Sequence, residues 1–430
     1  MGLPGRVLGP VRLRFDAAIT SRAGPHAYKG LAAYGPYDNS QVRLGEGSLL
    51  FVFPEALREQ AREVLKAVVK GVKTYPGFER TFGIPVRMQT AVQPLLVKAS
   101  LDDLSAAASA YRTAIEGWAS TNRAELAVVL VPHSGAWEID RPYYEAKAVL
   151  ADLGIPSQMV TSELVADERR FPWAVADIAL ASFAKLGGIP WTVEAPLGDD
   201  DLVFGVGRRE VGAEGQRRRV FGYAVAFVSN GLYRHIWSVT PSADEDQYAE
   251  RLQTALTHAL REDIDQPPRR IVVHLASRTG WTEIKAVQEA MLAVALDIPV
   301  AFLRLDDTSL WDLADTRTDT FAPGKGTVVL LGSRRALLQS EGLTGTGPPD
   351  GPILIEMDSR STVGPEVFDE LVAQVFRLAH ANWRGFNARS KPATLAYGEQ
   401  LANLVGHLTD VESWNPNRIP VGLAHRPWFL

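Results

Sequence analysis

The stretch from residue 45 to residue 188 alternates short apolar runs with amphipathic helical patterns, and this alternation constrains the fold more than any other feature. The runs "GEGSLLFVFPEA", "AELAVVLVPH" and "IPSQMV" predict strands, and "LREQAREVLKAVVKGV", "DRPYYEAKAVLADLG" and "FPWAVADIALASFAKLGG" predict the helices that follow them. Asp140 is placed to cap the start of the second helix, and Gly154 to cap its end. Strands linked through helices by short connections predict a parallel, Rossmann-like α/β unit.

A second pattern begins near Ile189 and predicts a different topology. "DDLVFGVGRRE" predicts one strand, and "RRRVFGYAVAFVSNGLYRHIWSVTP" predicts two more that are joined at Asn230 and Gly231, because Asn-Gly is a strong hairpin signal. A helix, a strand and a helix follow in "DEDQYAERLQTALTHALRED", "RRIVVHLASR" and "TEIKAVQEAMLAVALD". Three antiparallel strands followed by helix, strand and helix match the order of an RNase H-like fold.

Composition restricts the classes of function. The net charge of −5 lacks the basic excess that marks many nucleic-acid-binding domains, although one basic groove can sit on an acidic body. No apolar run reaches the roughly 18 residues that a membrane-spanning helix needs. The chain has no cysteine for disulfides, thiolate nucleophiles or cysteine-bound zinc. We therefore expect a cytoplasmic protein that does not enter a membrane.

The sequence closes on "AHRPWFL", with two aromatic residues and a leucine at its end. Burying these side chains would draw the terminal carboxylate inward, and a buried carboxylate needs a cation or several hydrogen-bond donors. One interpretation is a packed C-terminal strand with its carboxylate at the rim. The other is that the carboxylate of Leu430 is a functional group.

Five motifs occur in one order along the chain: "GLAAYGPYD" (30–38), "PYYEAKAVLADLGIPSQMV" (142–160), "FAKLGGIPW" (183–191), "NWRGFNARSKP" (382–392) and "RPWFL" (426–430). Together they resemble the short prokaryotic Argonautes, which consist of MID and PIWI domains. The resemblance covers nearly the whole chain after about residue 28. It implies an N-terminal segment (1–39), a Rossmann-like MID domain (40–189) and an RNase H-like PIWI domain (190–430).

The resemblance implies that the MID domain binds the 5′-phosphate of a guide strand through Tyr143, Lys147, Gln158 and Lys185. Tyr143 and Lys147 are four residues apart near the start of one helix, so they share a face at the end where anions are favoured. A tyrosine ring can stack on the first base, the lysines can neutralise phosphate and Gln158 can donate its amide. A single helical lysine is more typical of a solvated face, so only the ordered set indicates the pocket.

The resemblance also places the C-terminal carboxylate, here that of Leu430, in this pocket as the ligand of a divalent metal that bridges to the phosphate. Oxygen ligands favour a hard cation, and we expect Mg²⁺. The residue four before the "KLGG" lysine is a metal-ligating glutamine in an archaeal relative and a lysine in many eukaryotic Argonautes. It is Ala181 here. We therefore expect the metal to rest on Leu430, phosphate oxygens and water, and to bind more weakly.

Three basic residues lie in the motif "NWRGFNARSKP". The resemblance places Arg384 near the guide backbone in the seed region. Arg389 is assigned to the guide backbone on weaker grounds, and for Arg389 and Lys391 plain surface charge is an equal alternative.

The resemblance places the catalytic carboxylates of active Argonautes at three positions of the PIWI domain. Gly207 stands at the first aspartate position, Ala276 lies at the second, and Glu399 is the nearest candidate for the last ligand. One carboxylate cannot hold the two metals that RNase H-type cleavage needs. Two basic residues beside the first gap would repel metal: Arg208 and Arg209. The sequence therefore predicts that slicing is lost and that the chain is not an enzyme.

Other titratable residues near these strands have simpler interpretations. His274 is expected to be a satisfied histidine in the core or at the sheet edge. The acidic run Asp199, Asp200 and Asp201 predicts a loop.

The leading hypothesis is a guide-directed binding protein without catalysis. It would hold a 5′-phosphorylated small guide, for which we expect RNA with DNA as the alternative, and pair it with a complementary single-stranded target, for which we expect DNA. The resemblance implies a partner with an APAZ domain fused to a TIR, sirtuin-like or nuclease effector, which target pairing switches on in defence against plasmids or phage. The alternatives are a slicer with relocated carboxylates (Glu399, Glu210 or Asp263) and an α/β regulator that binds a small phosphate ligand. A homodimer through an exposed PIWI edge strand also remains open.

Overall fold

The computed structural model describes residues 3–99, 103–132, 141–196, 198–211, 219–239, 245–262, 267–276, 279–342, 351–408, 411, 414 and 421–430. The N-terminal part contributes three short strands and a helix: β1 (Gly5–Val7), β2 (Leu13–Arg14), β3 (Ala23–Gly24) and α1 (Ala27–Tyr34). It is not a separate body, because its strands pair with strands that come much later in the chain.

A parallel four-stranded sheet with helices around it follows. Its elements are β4 (Leu49–Pro54), a 3₁₀ turn (Glu55–Leu57), α2 (Arg58–Lys70), α3 (Phe78–Phe82), α4 (Met88–Ala91), β5 (Val92–Val97), α5 (Leu104–Ala119), β6 (Leu126–Val131), α6 (Arg141–Asp152), β7 (Ser157–Thr161), α7 (Ser162–Ala166) and α8 (Phe171–Lys185). The strand order is β5-β4-β6-β7, and every neighbouring pair is parallel. This is the predicted Rossmann-like unit.

After β8 (Thr192–Val193), which pairs with β2, the rest of the described chain builds a larger mixed sheet with its helices. These elements are β9 (Leu202–Val211), β10 (Arg219–Val228), β11 (Tyr233–Ser238), α9 (Glu245–Glu262), β12 (Ile271–Leu275), α10 (Trp281–Ala293), β13 (Val300–Asp306), β14 (Thr327–Gly332), β15 (Arg335–Gln339), β16 (Ile353–Met357), a 3₁₀ turn (Pro365–Val367), α11 (Phe368–Leu378), α12 (Ala393–Leu408) and α13 (Val421–Ala424). Nine strands follow the order β1-β14-β15-β16-β13-β12-β9-β10-β11. Strand β12 runs parallel to β9 and β13, whereas β9, β10 and β11 are antiparallel, as expected for an RNase H-like fold.

Two glycines end elements as the sequence predicts. Gly154 follows α6 with φ of +73°, and Gly231 lies in the β10–β11 turn with φ of +78°, a left-handed region that favours glycine. The predicted cap Asp140 lies outside the described residues.

The smaller sheet β3-β2-β8 and the edge strand β1 have no counterpart in the sequence prediction. Val7 and Leu13 belong to strands of only two or three residues, which are too short to show an alternating pattern. Strand β1 forms one edge of the nine-stranded sheet and β11 forms the other.

Three helices carry predicted site residues: α6 carries Tyr143 and Lys147, α8 carries Lys185 and α12 carries Glu399. Helix α8 is buried on nearly all sides, which suits a helix in the interior of a protein. Helix α12 lies across β9 and β10. Among the described residues, no helix has the length and apolar character that crossing a membrane requires.

Candidate nucleic-acid interface

Two buried lysines meet at one backbone oxygen. Lys147 projects from α6 and Lys185 from the last position of α8, and each Nζ donates to the carbonyl of Ser157 at 3.0 Å. Lys147 is 2% exposed and Lys185 is not exposed at all. The Rossmann-like topology brings them together, because α6 runs into β7 and α8 returns to the same strand end.

Burial disfavours the charged form of both lysines. Burial lowers the pKa of Lys147 to about 7. Burial also lowers the pKa of Lys185 well below its usual value, and the nearby charges of Lys147 and Arg384 lower it further. Within the described residues, the acceptors of the two ammonium groups are neutral oxygens. Two buried cations with neutral acceptors favour the entry of an anion, because an anion would offset their desolvation.

Gln158 belongs to the same cluster, but its amide nitrogen donates to a backbone carbonyl of its own strand. Its Oε1 accepts a hydrogen bond from Lys185 at 2.7 Å, and its Nε2 donates to the Met159 carbonyl at 3.2 Å. The residue therefore orients Lys185, and its amide group would have to turn to donate to a phosphate.

The last residues of the chain reach this lysine pair. The carbonyl of Trp428 accepts from Lys147 Nζ at 3.4 Å, and the ammonium group lies 5.7 Å from the centre of the Trp428 ring. Trp428 and Phe429 are buried, and Leu430 is partly buried. The interpretation of this ending as a strand is wrong: it begins at Ala424, the last residue of α13, and continues as turns. A proline at position 427 and turn-forming neighbours favour this conformation.

A cleft of about 1000 Å³ opens between α6 and α12. Phe429, next to Trp428, lines it, whereas Lys147 and Lys185 lie behind its surface and do not. An aromatic row lines the cleft. The Tyr143 ring packs edge-on against Tyr144 at 5.1 Å, and Tyr144 stacks on His407 at 5.0 Å between centroids. Such rings can stack with bases. The sequence prediction did not include Tyr144 or His407. The position of Tyr144 next to Tyr143 is a signal for it, whereas His407 lies far away in the sequence.

Arg384 and Arg389 are exposed and line this cleft. Arg389 also lies near Asp177, whose pKa burial raises to about 6 while the arginine opposes that rise. Lys391 differs from both, because its Nζ bridges Asp307 at 2.9 Å and Glu399 at 2.7 Å. Its charge is therefore offset by carboxylates, whereas the two arginines face the cleft.

Gly207 lies where the sheet touches α12. A Cβ atom there would lie 2.4 Å from the backbone nitrogen of Glu399 and 2.5 Å from the carbonyl carbon of Gly398. A Cβ atom added at Gly205 would likewise lie 2.3 Å from the carbonyl oxygen of Thr394. The strand and helix backbones thus meet directly, with no room for an aspartate side chain at position 207.

The other positions with predicted catalytic roles do not form a carboxylate cluster within the described residues. The parallel register pairs Leu275 with Val206, so Ala276 lies beside Gly207 at the ends of their strands. Glu399 accepts from Lys391 through both carboxylate oxygens. His274 is a buried core histidine, as expected, but it is only half satisfied: its Nδ1 lies 2.8 Å from the Thr394 hydroxyl, whereas its buried Nε2 has no hydrogen-bond partner among the described residues. Four further side chains lie outside the described residues: Arg208, Arg209, Glu210 and Asp263.

A buried acidic group lies at the opposite end of these strands. Asp199 and Asp201 lie in the predicted loop before β9, but the sequence did not indicate that both are buried with Glu370 close by. Arg377 donates to Asp199 at 2.5 Å, and Arg270 binds Asp201. Burial raises the pKa of Asp199, and the Arg377 charge opposes the rise. The group lies about 20 Å from Gly207 along β9, at roughly 3.3 Å per residue, and its charges are already paired with arginines.

Comparisons with known sequences agree with this geometry. The sequence model described as the Piwi domain matches residues 137–295. "Protein argonaute" of Cereibacter sphaeroides is 25% identical over 446 aligned positions, which cover 95% of this chain and 57% of that protein. The "Piwi protein" of Archaeoglobus fulgidus is 25% identical over 317 positions, which cover 67% of this chain and 71% of that protein.

Solved structures show the same fold. The Argonaute of Clostridium butyricum, bound to a guide DNA and a 19-mer target DNA, matches with a TM-score of 0.75 and 18% identity over 100% of this chain and 55% of that chain. Drosophila Piwi matches with a TM-score of 0.67 and 19% identity over 99% of this chain and 56% of that chain. The chain spans just over half the length of these structures and of the Cereibacter protein. In its sequence motifs, its match to the Piwi domain model and its fold, this chain is similar to the Argonaute and Piwi proteins.

Proposed function

We propose that this chain binds a 5′-phosphorylated guide strand and presents it for pairing with a complementary target strand. The main support is the buried pair of Lys147 and Lys185, whose acceptors within the described residues are neutral and which lies behind the surface of the open cleft. A terminal phosphate carries up to two negative charges and can compensate both ammonium groups. The cleft arginines then lie where the following phosphates of a strand would pass, and Tyr143 where its first base would stack.

The expected guide is RNA and the expected target is DNA. The resemblance to short prokaryotic Argonautes supports this choice, whereas the Clostridium Argonaute with the same fold is bound to guide DNA. Guides of both kinds therefore belong in the experiment.

The experiment measures the binding of fluorescent RNA and DNA oligonucleotides that carry either a 5′-phosphate or a 5′-hydroxyl. Wild type should prefer the phosphate by at least about tenfold, since a hydrogen bond to a charged group contributes about 1.5 to 3 kcal/mol. Lys147→Met and Lys185→Met should remove this preference. Lys66→Met is the matched control, because Lys66 is exposed on α2. Equal affinity of wild type for both ends would reject the proposal and favour a protein that binds a small phosphate ligand.

A magnesium ion at the phosphate is the finer part of the proposal. The carboxylate of Leu430 and phosphate oxygens are ligands that Mg²⁺ accepts, but Ala181 is buried and apolar and adds none. The two lysines already supply positive charge there. We therefore expect Mg²⁺ to enter only with the phosphate and to contribute less than the lysines. EDTA, or residues appended after Leu430, should weaken guide binding moderately, and unchanged affinity in both tests would remove the ion from the proposal.

We further propose that the chain does not cut its target. The close contact of Gly207 with α12 and the ion pair of Glu399 with Lys391 support this. Incubation with guide, labelled target and Mn²⁺ should leave the target intact. Specific cleavage opposite the guide would instead favour a nuclease with relocated carboxylates.

The proposed partner, an APAZ-domain protein with a TIR, sirtuin-like or nuclease effector, rests on the resemblance alone. It would make this chain the sensor of a defence system against plasmids or phage. Co-expression with an APAZ protein encoded beside this gene should yield a complex whose effector activity depends on guide and target. A stable complex without such dependence would contradict the sensor role.

A further inference from the structure

Three potential metal ligands converge at the β11 edge of the nine-stranded sheet. None of them lies on α6 or α8, the helices that carry the lysine pair. His235 lies on β11, Glu262 is the last residue of α9 and His425 follows α13. One ligand atom from each lies within 4.8 Å of the others. None of the three has a part in the proposed guide-binding site.

The spacing of the two imidazoles matches a shared ion. The Nδ1 atoms of His235 and His425 are 3.1 Å apart. Two nitrogen ligands at the usual 2.0–2.1 Å from tetrahedral zinc are about 3.3 Å apart. Nitrogen and carboxylate donors together suit zinc, whereas Mg²⁺ prefers oxygen ligands alone.

A second layer supports the carboxylate. His258, one turn before Glu262 on α9, has its Nδ1 3.3 Å from Glu262 Oε1. A neighbouring imidazole of this kind can orient a metal-ligating carboxylate. His235 is buried while Glu262 and His425 reach solvent, so an ion has a route to the ligands.

We propose that His235, Glu262 and His425 bind one Zn²⁺ ion, with water in the fourth position. The ion would join the sheet edge and α9 to the last residues of the chain. The Tyr233 hydroxyl already donates to the Ala424 carbonyl at 2.7 Å, next to His425. Three residues after His425, Trp428 contacts Lys147. The site would therefore anchor the segment that lines the lysine pair.

The test uses the full chain after removal of metal with EDTA and gel filtration. Titration with Co²⁺ should give the strong visible absorption of a tetrahedral site at one equivalent per chain, and Zn²⁺ should displace it. Competition with a chromophoric chelator then gives the zinc affinity. His425→Ala and Glu262→Gln should lower this affinity by more than tenfold, and His258→Ala by about tenfold. His26→Ala is the matched control, because His26 is exposed and far along the chain from the cluster.

The wild-type measurement decides the question even if a variant folds poorly. Absence of the tetrahedral cobalt spectrum, or a zinc affinity equal to that of His425→Ala, would show that the two histidines only share a hydrogen bond and would overturn the proposal. Because the readout is metal binding, it is independent of whether the chain binds a guide.

Discussion

Replacing Gly207 with alanine tests how closely β9 and α12 are packed. The added Cβ would lie 2.4 Å from the backbone nitrogen of Glu399, whereas ordinary contact begins at 3.4 Å. The neighbouring atoms are backbone atoms of α12, so they cannot rotate away as a side chain could. The helix would have to shift by roughly 1 Å in a close-packed interior.

We expect Gly207→Ala to destabilise the protein by about 3 kcal/mol, the upper end of the usual cost of overpacking. For a domain of 150–250 residues, 1 kcal/mol corresponds to roughly 2 to 4 °C in melting temperature. Thermal unfolding followed by circular dichroism should therefore show a loss of about 6 to 12 °C. Gly207→Asp should be worse, because it also buries a charge, and it should not create target cleavage.

Gly117→Ala is the matched control. Gly117 lies inside α5, is exposed, and has no atom within 4 Å of an added Cβ. The same chemical change should there stabilise the protein by about 0.5 to 1 kcal/mol, because alanine favours a helix over glycine. If both variants melt at or above the wild-type temperature, the strand and helix are not in contact as described, and the steric argument against an aspartate at position 207 fails.

Two further predictions follow from buried charges. The pKa of Lys147, about 7 in the fold against 10.5 for an ordinary lysine, means that the unfolded chain binds more protons between these values. The free energy of unfolding should therefore rise from pH 7 to pH 10.5 in urea titrations, and 5′-phosphate affinity should fall over that range because the phosphate needs a charged lysine. If neither the free energy of unfolding nor the 5′-phosphate affinity changed over this pH range, Lys147 would not be buried as described. Asp201→Asn should cost about 3 kcal/mol, the lower end of the cost of breaking a buried pair, because Arg270 loses its buried carboxylate and keeps only the partly exposed Glu370 at 2.9 Å. Guide affinity should be unchanged, and its loss would indicate a binding role.

Local patterns in the sequence were sufficient for much of the fold. The Asn230–Gly231 turn, the buried strand before α6 and the apolar helix α8 each carry a signal within one short window. The order of the predicted strands and helices indicates the fold class of both domains. The lysine pair is less local: Lys147 and Lys185 each resemble surface lysines when taken alone, and only the ordered motifs of a known family bring them together.

The features that were missed depend on distant contacts. Gly207 meets Glu399, and His235 meets His425, across about 190 residues of chain. Hydrophobic periodicity is a local pattern, so it does not indicate which distant residues come into contact. The Ser157 and Trp428 contacts to the lysines use backbone oxygens, which every residue has, so residue type gives no indication of them.

The net charge of −5 is a poor measure of the potential at the cleft. Acidic groups near it are already paired, as Glu399 is with Lys391, whereas Arg384 and Arg389 face the opening. If these arginines and the two buried lysines contact about four phosphates, the slope of log affinity against log salt should be about −3 for a single strand, at roughly −0.7 per contact. Replacing both arginines with glutamine should reduce its size by about 1.4. Anisotropy titrations between low and high potassium chloride measure this slope. An unchanged slope in the double variant would mean that the guide leaves the lysine pair by another route, since surface charges that do not contact phosphate release no counterions.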